Sequence, residues 1–154
     1  MIKNTIVVVG IVLSLSLVGA ASVSFMHTDQ ATVSSTTGLP HIRWTNNTKT
    51  AFARSKATGT PMFIFFHADW CSWCKKMEDT TFKNDKVVEL INSRFVPLSL
   101  DVNQPLAKKL GIKTIPFVMM TDPTGKHVIT VDGYRNSNTM LRYINAYLGD
   151  SAVN

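Results

Sequence analysis

The sequence predicts an α/β fold with a central mixed sheet and helices on both faces, preceded by an N-terminal apolar segment. Helix and strand patterns alternate along the folded part of the chain. Met62–Phe66 is a short, continuous apolar run, which is typical of a strand buried on both faces. Two later strand patterns flank the turn residues Asp122–Gly125, which predicts a hairpin.

The N-terminal residues have the order of a secretory signal. Lys3 precedes an apolar run, Ile6–Val18, and small residues follow at Gly19–Ser22. The alternative is an uncleaved anchor, because the uncharged run continues to Met26 and reaches the ~20 residues that span a bilayer. In either case we expect residues 1–26, a signal peptide or membrane anchor, to direct the rest of the chain out of the cytoplasm.

A linker and a first helix follow. Residues 27–40 are rich in Thr and Ser and have no periodic apolar face, which predicts a linker. We therefore place the folded domain at residues 41–154. Its first helix is predicted to run from an N-cap at Asn46 or Asn47 to Thr58, after which Gly and Pro residues break the pattern.

The spacing of apolar residues assigns the other elements in order. Helix patterns have apolar residues at helical spacing, and strand patterns are short apolar runs. After the buried strand, the predicted elements are a helix opened by Asp69–Cys71, a helix at Asp85–Ser93, a strand at Phe95–Leu100, a short helix at Pro105–Leu110, strands at Phe117–Met120 and His127–Val131, and a last helix capped by Ser137 or Asn138 and ending at Leu148.

Composition and charge argue against a disordered chain and against a nucleic-acid-binding protein. Of the 154 residues, 45% are hydrophobic and 17% are charged, which is normal for one globular domain and too apolar for a disordered chain. The net charge is +6, but the 16 Lys and Arg residues are scattered and form no long basic run. A solvated basic surface is therefore favoured over a nucleic-acid site, and we expect no nucleic-acid partner.

The two cysteines, Cys71 and Cys74, are the candidate reactive residues. With Cys71 at a helix start and Cys74 one turn later, both lie on one face, close enough for a disulfide. Unpaired N–H groups and the helix dipole favour a thiolate at Cys71 and lower the pKa of its thiol below the ~8.5 of a free cysteine. Lys75 and Lys76 add positive charge. We therefore predict that Cys71 attacks a partner disulfide and that Cys74 resolves the mixed disulfide.

Two other roles for the cysteine pair are less favoured. A structural disulfide that closes so short a loop would restrict the unfolded chain very little. A tetrahedral metal site would need two further ligands, and only His67 lies nearby in the sequence, with His127 remote. We therefore predict no metal and no cofactor, and we interpret His67 as a strand-end residue.

A proline at the start of a later strand is a further candidate. We predict that the peptide bond between Ile115 and Pro116 is cis, which would expose the backbone of Ile115 beside the dithiol. Such an edge could pair with an extended substrate segment as an added strand. The alternative is an ordinary trans proline at a strand start.

Two segments, His67–Met77 with the cysteine pair and Gly111–Pro116, resemble the thioredoxin superfamily. The resemblance in motif order covers residues 44–148. The chain is especially similar to exported thioredoxin-like proteins related to the C-terminal domain of the disulfide reductase DsbD. It implies a thioredoxin-like fold in which the first cysteine attacks, the second resolves and the proline is cis. It also implies that Trp70 flanks the site and that Gly133 follows the last strand.

The sequence departs from the typical family pattern at three places. Phe65 stands where thioredoxins have a buried Asp that helps to move protons at the second cysteine, and Pro97 stands where they have a partner Lys. Ser72-Trp73 replaces the usual Gly-Pro between the cysteines. The proton acceptor for Cys74 is therefore open, and the candidates are Asp69, His67, Glu78 and water.

These observations predict a thiol–disulfide oxidoreductase of the cell envelope that reduces disulfides in exported proteins. The candidate catalytic residues are Cys71 and Cys74, and the candidate substrate-binding residues are Trp70, Ile115 and Pro116. We expect a periplasmic or envelope location, protein thiols and disulfides as substrates, and an unidentified redox partner. The alternatives are a non-catalytic thioredoxin-fold adaptor or chaperone, and a disulfide oxidase or isomerase.

Overall fold

The structure, a computed structural model, describes residues 41–149. The predicted apolar segment at 1–26 and the linker at 27–40 lie outside the described residues, as do residues 150–154. Within 41–149, no helix is long and apolar enough to cross a membrane. The elements are α1 (Thr48–Thr58), β1 (Met62–His67), α2 (Ser72–Asp79), a 3₁₀ turn (Thr81–Lys83), α3 (Asp85–Arg94), β2 (Val96–Asp101), α4 (Pro105–Lys109), β3 (Phe117–Thr121), β4 (His127–Asp132) and α5 (Ser137–Leu148).

The four named strands form one mixed sheet in the order β2-β1-β3-β4. β1 runs parallel to β2, with Met62 opposite Val96, and antiparallel to β3, with Met62 opposite Thr121. β3 and β4 are antiparallel, so the predicted hairpin around Asp122–Gly125 is confirmed. β1 is central, and it is buried along its length except at His67, which is half-buried. This burial is what its continuous apolar run predicts.

Helices cover both faces of the sheet, as predicted. On one face, α2, α3 and α5 pack against β1 in a cluster of buried residues that includes Met77, Ile91, Ile144, Phe63 and Phe65. On the other face, α1 and α4 pack against β1 and β2 in a second cluster that includes Ala51, Ala107, Ile64, Phe66 and Leu98. The cysteine pair belongs to the first cluster, so the site lies on the side of the sheet that α2 covers.

Asparagine side chains cap the first and last helices. Asn47 caps α1 by accepting a hydrogen bond from an amide of the first turn at 2.9 Å, and it is one of the two predicted residues. The predicted cap of α5 at Ser137 or Asn138 is wrong, because Asn136 caps this helix by accepting from the Thr139 amide at 2.9 Å. Asn136 has an extended backbone from which its short amide reaches the first turn, whereas Ser137 is already helical.

Some element boundaries differ slightly from the predicted ones. Phe95, predicted to begin a strand, is instead the C-cap residue after α3, and its amide donates to the carbonyl of Ile91 at 3.1 Å. β2 therefore begins at Val96. β1 extends to His67, which confirms that this histidine is a strand-end residue.

Candidate active site

The cysteine pair lies at the start of α2, shortly after the buried strand β1. Cys71 is the N-cap residue and has an extended backbone, and Cys74 follows one turn into the helix. The two sulfurs form a disulfide, with 5.2 Å between the Cα atoms. The predicted position of Cys71 at a helix start and its predicted proximity to Cys74 are both confirmed.

The two sulfurs have unequal surroundings. The backbone N–H of Cys74 donates a hydrogen bond to Sγ of Cys71, with 3.1 Å between nitrogen and sulfur. Cys71 is 6% exposed and Cys74 is 1% exposed. A thiolate at Cys71 would therefore receive an amide hydrogen bond and the positive end of the helix dipole. Cys74 is enclosed by protein, which suits a thiol that reacts only with its neighbour.

Aromatic side chains form the interior next to the dithiol. Phe65 is buried in the same cluster as both cysteines. Its ring meets Phe82 edge-on, with 5.0 Å between centroids, and stacks on His67 at 5.3 Å. The position that the thioredoxin resemblance assigns to a carboxylate is therefore filled by ring packing. On β2, Ser99 lies opposite Phe65, whereas Pro97 lies opposite Phe63.

The three side chains predicted as proton acceptors for Cys74 differ in burial. His67 is half-buried and lines an open cleft of about 480 Å³ together with Asp101. Asp69 is exposed, and Glu78 is half-buried on α2. All three remain candidates. In the part of the chain that the structure describes, no group of three or more His, Cys, Asp or Glu side chains is placed to hold a metal ion.

A groove lies beside the predicted substrate loop. The peptide bond between Ile115 and Pro116 is cis, as predicted. The carbonyl of Pro116 accepts a hydrogen bond from the Gly133 amide at 2.8 Å, which joins the loop before β3 to the end of β4. The groove has a volume of about 390 Å³ and is lined by Trp73, Ile115, Pro116, Gly133 and Tyr134. Because Trp73 lies between the cysteines in the sequence, this groove adjoins the dithiol.

The three predicted substrate-binding residues are placed differently relative to this groove. Of the residues predicted to bind substrate, Ile115 and Pro116 line it, whereas Trp70 is 75% exposed and is not part of the lining. Trp73, which is 54% exposed, lines the groove instead. The substrate-binding roles of Trp70, Ile115 and Pro116 stay predictions.

Sequence reasoning missed an aromatic cluster that holds a lysine at this groove. The rings of Trp73 and Tyr134 have centroids 5.5 Å apart. Nζ of Lys76 lies 4.7 Å from the Trp73 centroid and 5.1 Å from the Tyr134 centroid. The spacing of Trp73 and Lys76 on one helix face could have revealed half of this cluster. Tyr134 follows β4, and no local pattern connects it to α2.

The fold and the dithiol define a class of protein, the thioredoxin-fold proteins that carry two cysteines one helical turn apart at the start of a helix. A family model described as thioredoxin-like matches residues 43–123, which is just over half of the chain. The chain belongs to the thioredoxin-like family. The resemblance stated from the sequence is thereby confirmed, and so is the predicted thioredoxin-like fold.

Several curated relatives named "Thiol:disulfide interchange protein DsbD" match part of the chain. The protein from Yersinia pestis is 28% identical over 97 residues, which are 58% of this chain and 16% of that protein. The protein from Vibrio cholerae is 38% identical over 86 residues, which are 52% of this chain and 14% of that protein. The match thus spans only about a sixth of these much longer relatives.

Solved structures show the same fold at low identity. A thioredoxin from Thermus thermophilus aligns with a TM-score of 0.62 and 23% identity, covering 70% of this chain and 87% of that one. A structure described as "DsbH Oxidoreductase" aligns with a TM-score of 0.62 and 19% identity, covering 71% of this chain and 85% of that one. Both matches cover most of the neighbour's length, so the described domain shares the thioredoxin fold over most of its extent.

Proposed function

We propose that this protein is an exported thiol–disulfide oxidoreductase that reduces disulfides in exported proteins, with Cys71 as the attacking thiol. The observation that carries the proposal is the hydrogen bond from the Cys74 amide to Sγ of Cys71 at the start of α2. This contact favours a thiolate on the outer of the two sulfurs. The groove at Ile115 and Pro116 supports a polypeptide substrate, because it is also lined by Trp73, which lies between the two cysteines in the sequence.

The proposed reaction starts from the reduced dithiol. The Cys71 thiolate attacks one sulfur of a partner disulfide, and the other partner sulfur leaves as a thiolate. The Cys74 thiol then loses its proton and attacks Sγ of Cys71, which releases the second partner sulfur. Two electrons pass to the partner, whose two thiolates take up protons from solvent, and Cys71 and Cys74 end as the disulfide seen in the structure.

Reduction of insulin by dithiothreitol tests for turnover. The protein should accelerate insulin precipitation, because it passes electrons from dithiothreitol to the insulin disulfides. Cys71→Ser should abolish the acceleration. An unaccelerated reaction with the wild-type protein would favour a non-catalytic adaptor instead.

The Cys74→Ser variant tests the class of substrate. Without the resolving thiol, mixed disulfides at Cys71 should accumulate in cells and be recovered with their partners. The double variant that also carries Cys71→Ser is the matched control and should recover none. Partners that are exported proteins would support the proposal, whereas exclusively cytoplasmic partners would contradict it.

Export is proposed from the apolar segment within residues 1–26 and is tested separately from the chemistry. Alkaline phosphatase fused after Asn154 should be active, since that enzyme folds only after export to an oxidising compartment. An inactive fusion would contradict export. Carbonate extraction of membranes then separates the two fates of the segment: an anchored protein stays with the membrane and a cleaved one is released.

A further inference from the structure

A lysine ammonium is held beside the dithiol groove by two aromatic rings. Lys76 and Trp73 lie on one face of α2, and Tyr134 reaches them from the segment after β4. Nζ of Lys76 is 4.7 Å from one ring centroid and 5.1 Å from the other, within the range of cation–π attraction. We call these three residues the Lys76 cluster. Since Trp73 and Tyr134 also line the groove, the cluster places a positive charge at its edge.

Among residues 41–149, no carboxylate forms an ion pair with the ammonium of Lys76. Within residues 41–149, the ion pair that forms is the one between Lys83 and Asp79, at 2.8 Å. Asp132, the acidic residue next to the groove residue Gly133, accepts a hydrogen bond from Oγ1 of Thr114 at 2.7 Å. Within the described residues, the contacts of the Lys76 ammonium are therefore the two aromatic rings, and an ion pair with a partner's carboxylate would compete with no carboxylate of residues 41–149.

We infer that Lys76 selects partner segments that carry an acidic side chain next to the reacting cysteine. This inference rests on the proposed function, because it concerns the segment whose disulfide Cys71 attacks. The partner segment would lie extended in the groove at Ile115 and Pro116, and its carboxylate would meet the ammonium at the groove edge. The two rings restrict the lysine side chain before binding, so less conformational entropy is lost when the ion pair forms.

The size of the effect follows from the exposure of the site. Trp73 is 54% exposed, so the ion pair would form in contact with water. Exposed ion pairs contribute little, which limits the expected preference for an acidic over a neutral segment to about three- to fivefold. Because salt screens such pairs, the preference should fall as the ionic strength rises.

Two peptide disulfides test the inference. They are identical except for Glu or Gln beside the cysteine, and each carries the same chromophoric thiol as leaving group. The ratio of their reduction rates should be about three to five for the wild-type protein and close to one for Lys76→Gln. Lys75→Gln is the matched control, because it removes a neighbouring charge of α2 that is outside the Lys76 cluster, and it should retain the ratio. A wild-type ratio near one, or an unchanged ratio in Lys76→Gln, would overturn the inference.

A binding measurement separates this inference from the proposed function. If neither peptide is reduced, the proposed function fails, but recognition is still measured with the oxidised protein and peptides in which Ser replaces the cysteine. The indole N–H resonance of Trp73 reports binding in an NMR titration. The Glu peptide should bind about three to five times more tightly than the Gln peptide, and Lys76→Gln should remove the difference. Equal affinities for the wild-type protein would refute the inference.

Discussion

The backbone amide of Cys74 donates to Sγ of Cys71 at 3.1 Å and shares this hydrogen bond with the carbonyl of Cys71, and no equivalent donor is directed at Sγ of Cys74 within residues 41–149. The two sulfurs of one disulfide are thus electrostatically unequal. When the disulfide is reduced, the amide and the helix start face Cys71, so negative charge is better tolerated there than on Cys74. This asymmetry gives the two thiols different reactivities.

Single-cysteine variants should show that difference. In Cys74→Ser, the remaining thiol of Cys71 should react with iodoacetamide at neutral pH about tenfold faster than the remaining thiol of Cys71→Ser, because thiolate, not thiol, is the nucleophile. Alkylation rates measured against pH by mass spectrometry check this. Both variants carry one Ser and one Cys, so each is the control for the other. Faster alkylation of Cys74 would reverse the assigned roles.

The aromatic packing of Phe65 should be a large source of stability. Its side chain is 1% exposed and contacts Phe82 and His67 ring to ring. Phe65→Ala should lower the free energy of unfolding by about 3–5 kcal/mol, because it leaves a cavity in a packed core. Denaturant unfolding of the oxidised protein measures this loss.

An exposed position supplies the control for Phe65. Val128 on β4 is 50% exposed, and Val128→Thr should change the free energy of unfolding by no more than about 0.5 kcal/mol. Phe65→Leu should lower the free energy of unfolding by an amount between those of Phe65→Ala and Val128→Thr, since leucine keeps part of the buried volume. A loss below about 1 kcal/mol in Phe65→Ala would show that the ring cluster contributes little.

Local patterns explain which parts of the structure the sequence could predict. The run at Met62–Phe66 predicts the central strand, because burial on both faces leaves an unbroken apolar pattern. The cysteine spacing predicts the dithiol, because helix geometry places such residues one turn apart. Both signals lie within a few consecutive residues. The elements that these signals assign form the frame of the site.

Long-range contacts explain what the sequence could not predict. Tyr134 meets Trp73 only because β4 ends beside α2, and this proximity depends on the register of the whole sheet. The resemblance to thioredoxins shows that Phe65 replaces an acid, but its stacking on His67 depends on side-chain packing. The cap of α5 at Asn136 depends on where the turn after β4 ends.

Tyr147 on α5 should make stability depend on pH in the alkaline range. Burial raises the pKa of Tyr147 above its ordinary value of 10.0, and the charge of Asp122 adds to the rise. The folded state therefore holds the phenolic proton to higher pH than the unfolded state does. The stabilising contribution is fully present below about pH 10 and is lost as the pH rises through the folded pKa.

The variant Tyr147→Phe tests this dependence. In the wild-type protein, the hydroxyl of Tyr147 donates to the carbonyl of Thr121 at 3.0 Å. Because the variant lacks this hydrogen bond, it should be less stable at neutral pH by about 0.5–1.5 kcal/mol. Between about pH 9 and 11 it should lose less stability than the wild type, because it cannot ionise. Parallel slopes for the wild type and Tyr147→Phe would contradict the assignment.

The reduction potential of the dithiol should be nearer to that of a reductant than to that of a strong oxidant. A strong oxidant arises when the thiolate is greatly stabilised, which raises the potential. Ser72 and Trp73, the residues between the cysteines, carry no charge, and Nζ of Lys76 lies over aromatic rings. The remaining stabilisers of the Cys71 thiolate are then the helix start and the nearby lysines, and moderately acidic thiols with pKa near 7 have the same helix-start placement. We therefore expect a value nearer ~−270 mV than ~−120 mV, measured by equilibration with glutathione buffers. A potential above about −160 mV would instead indicate an oxidase or isomerase.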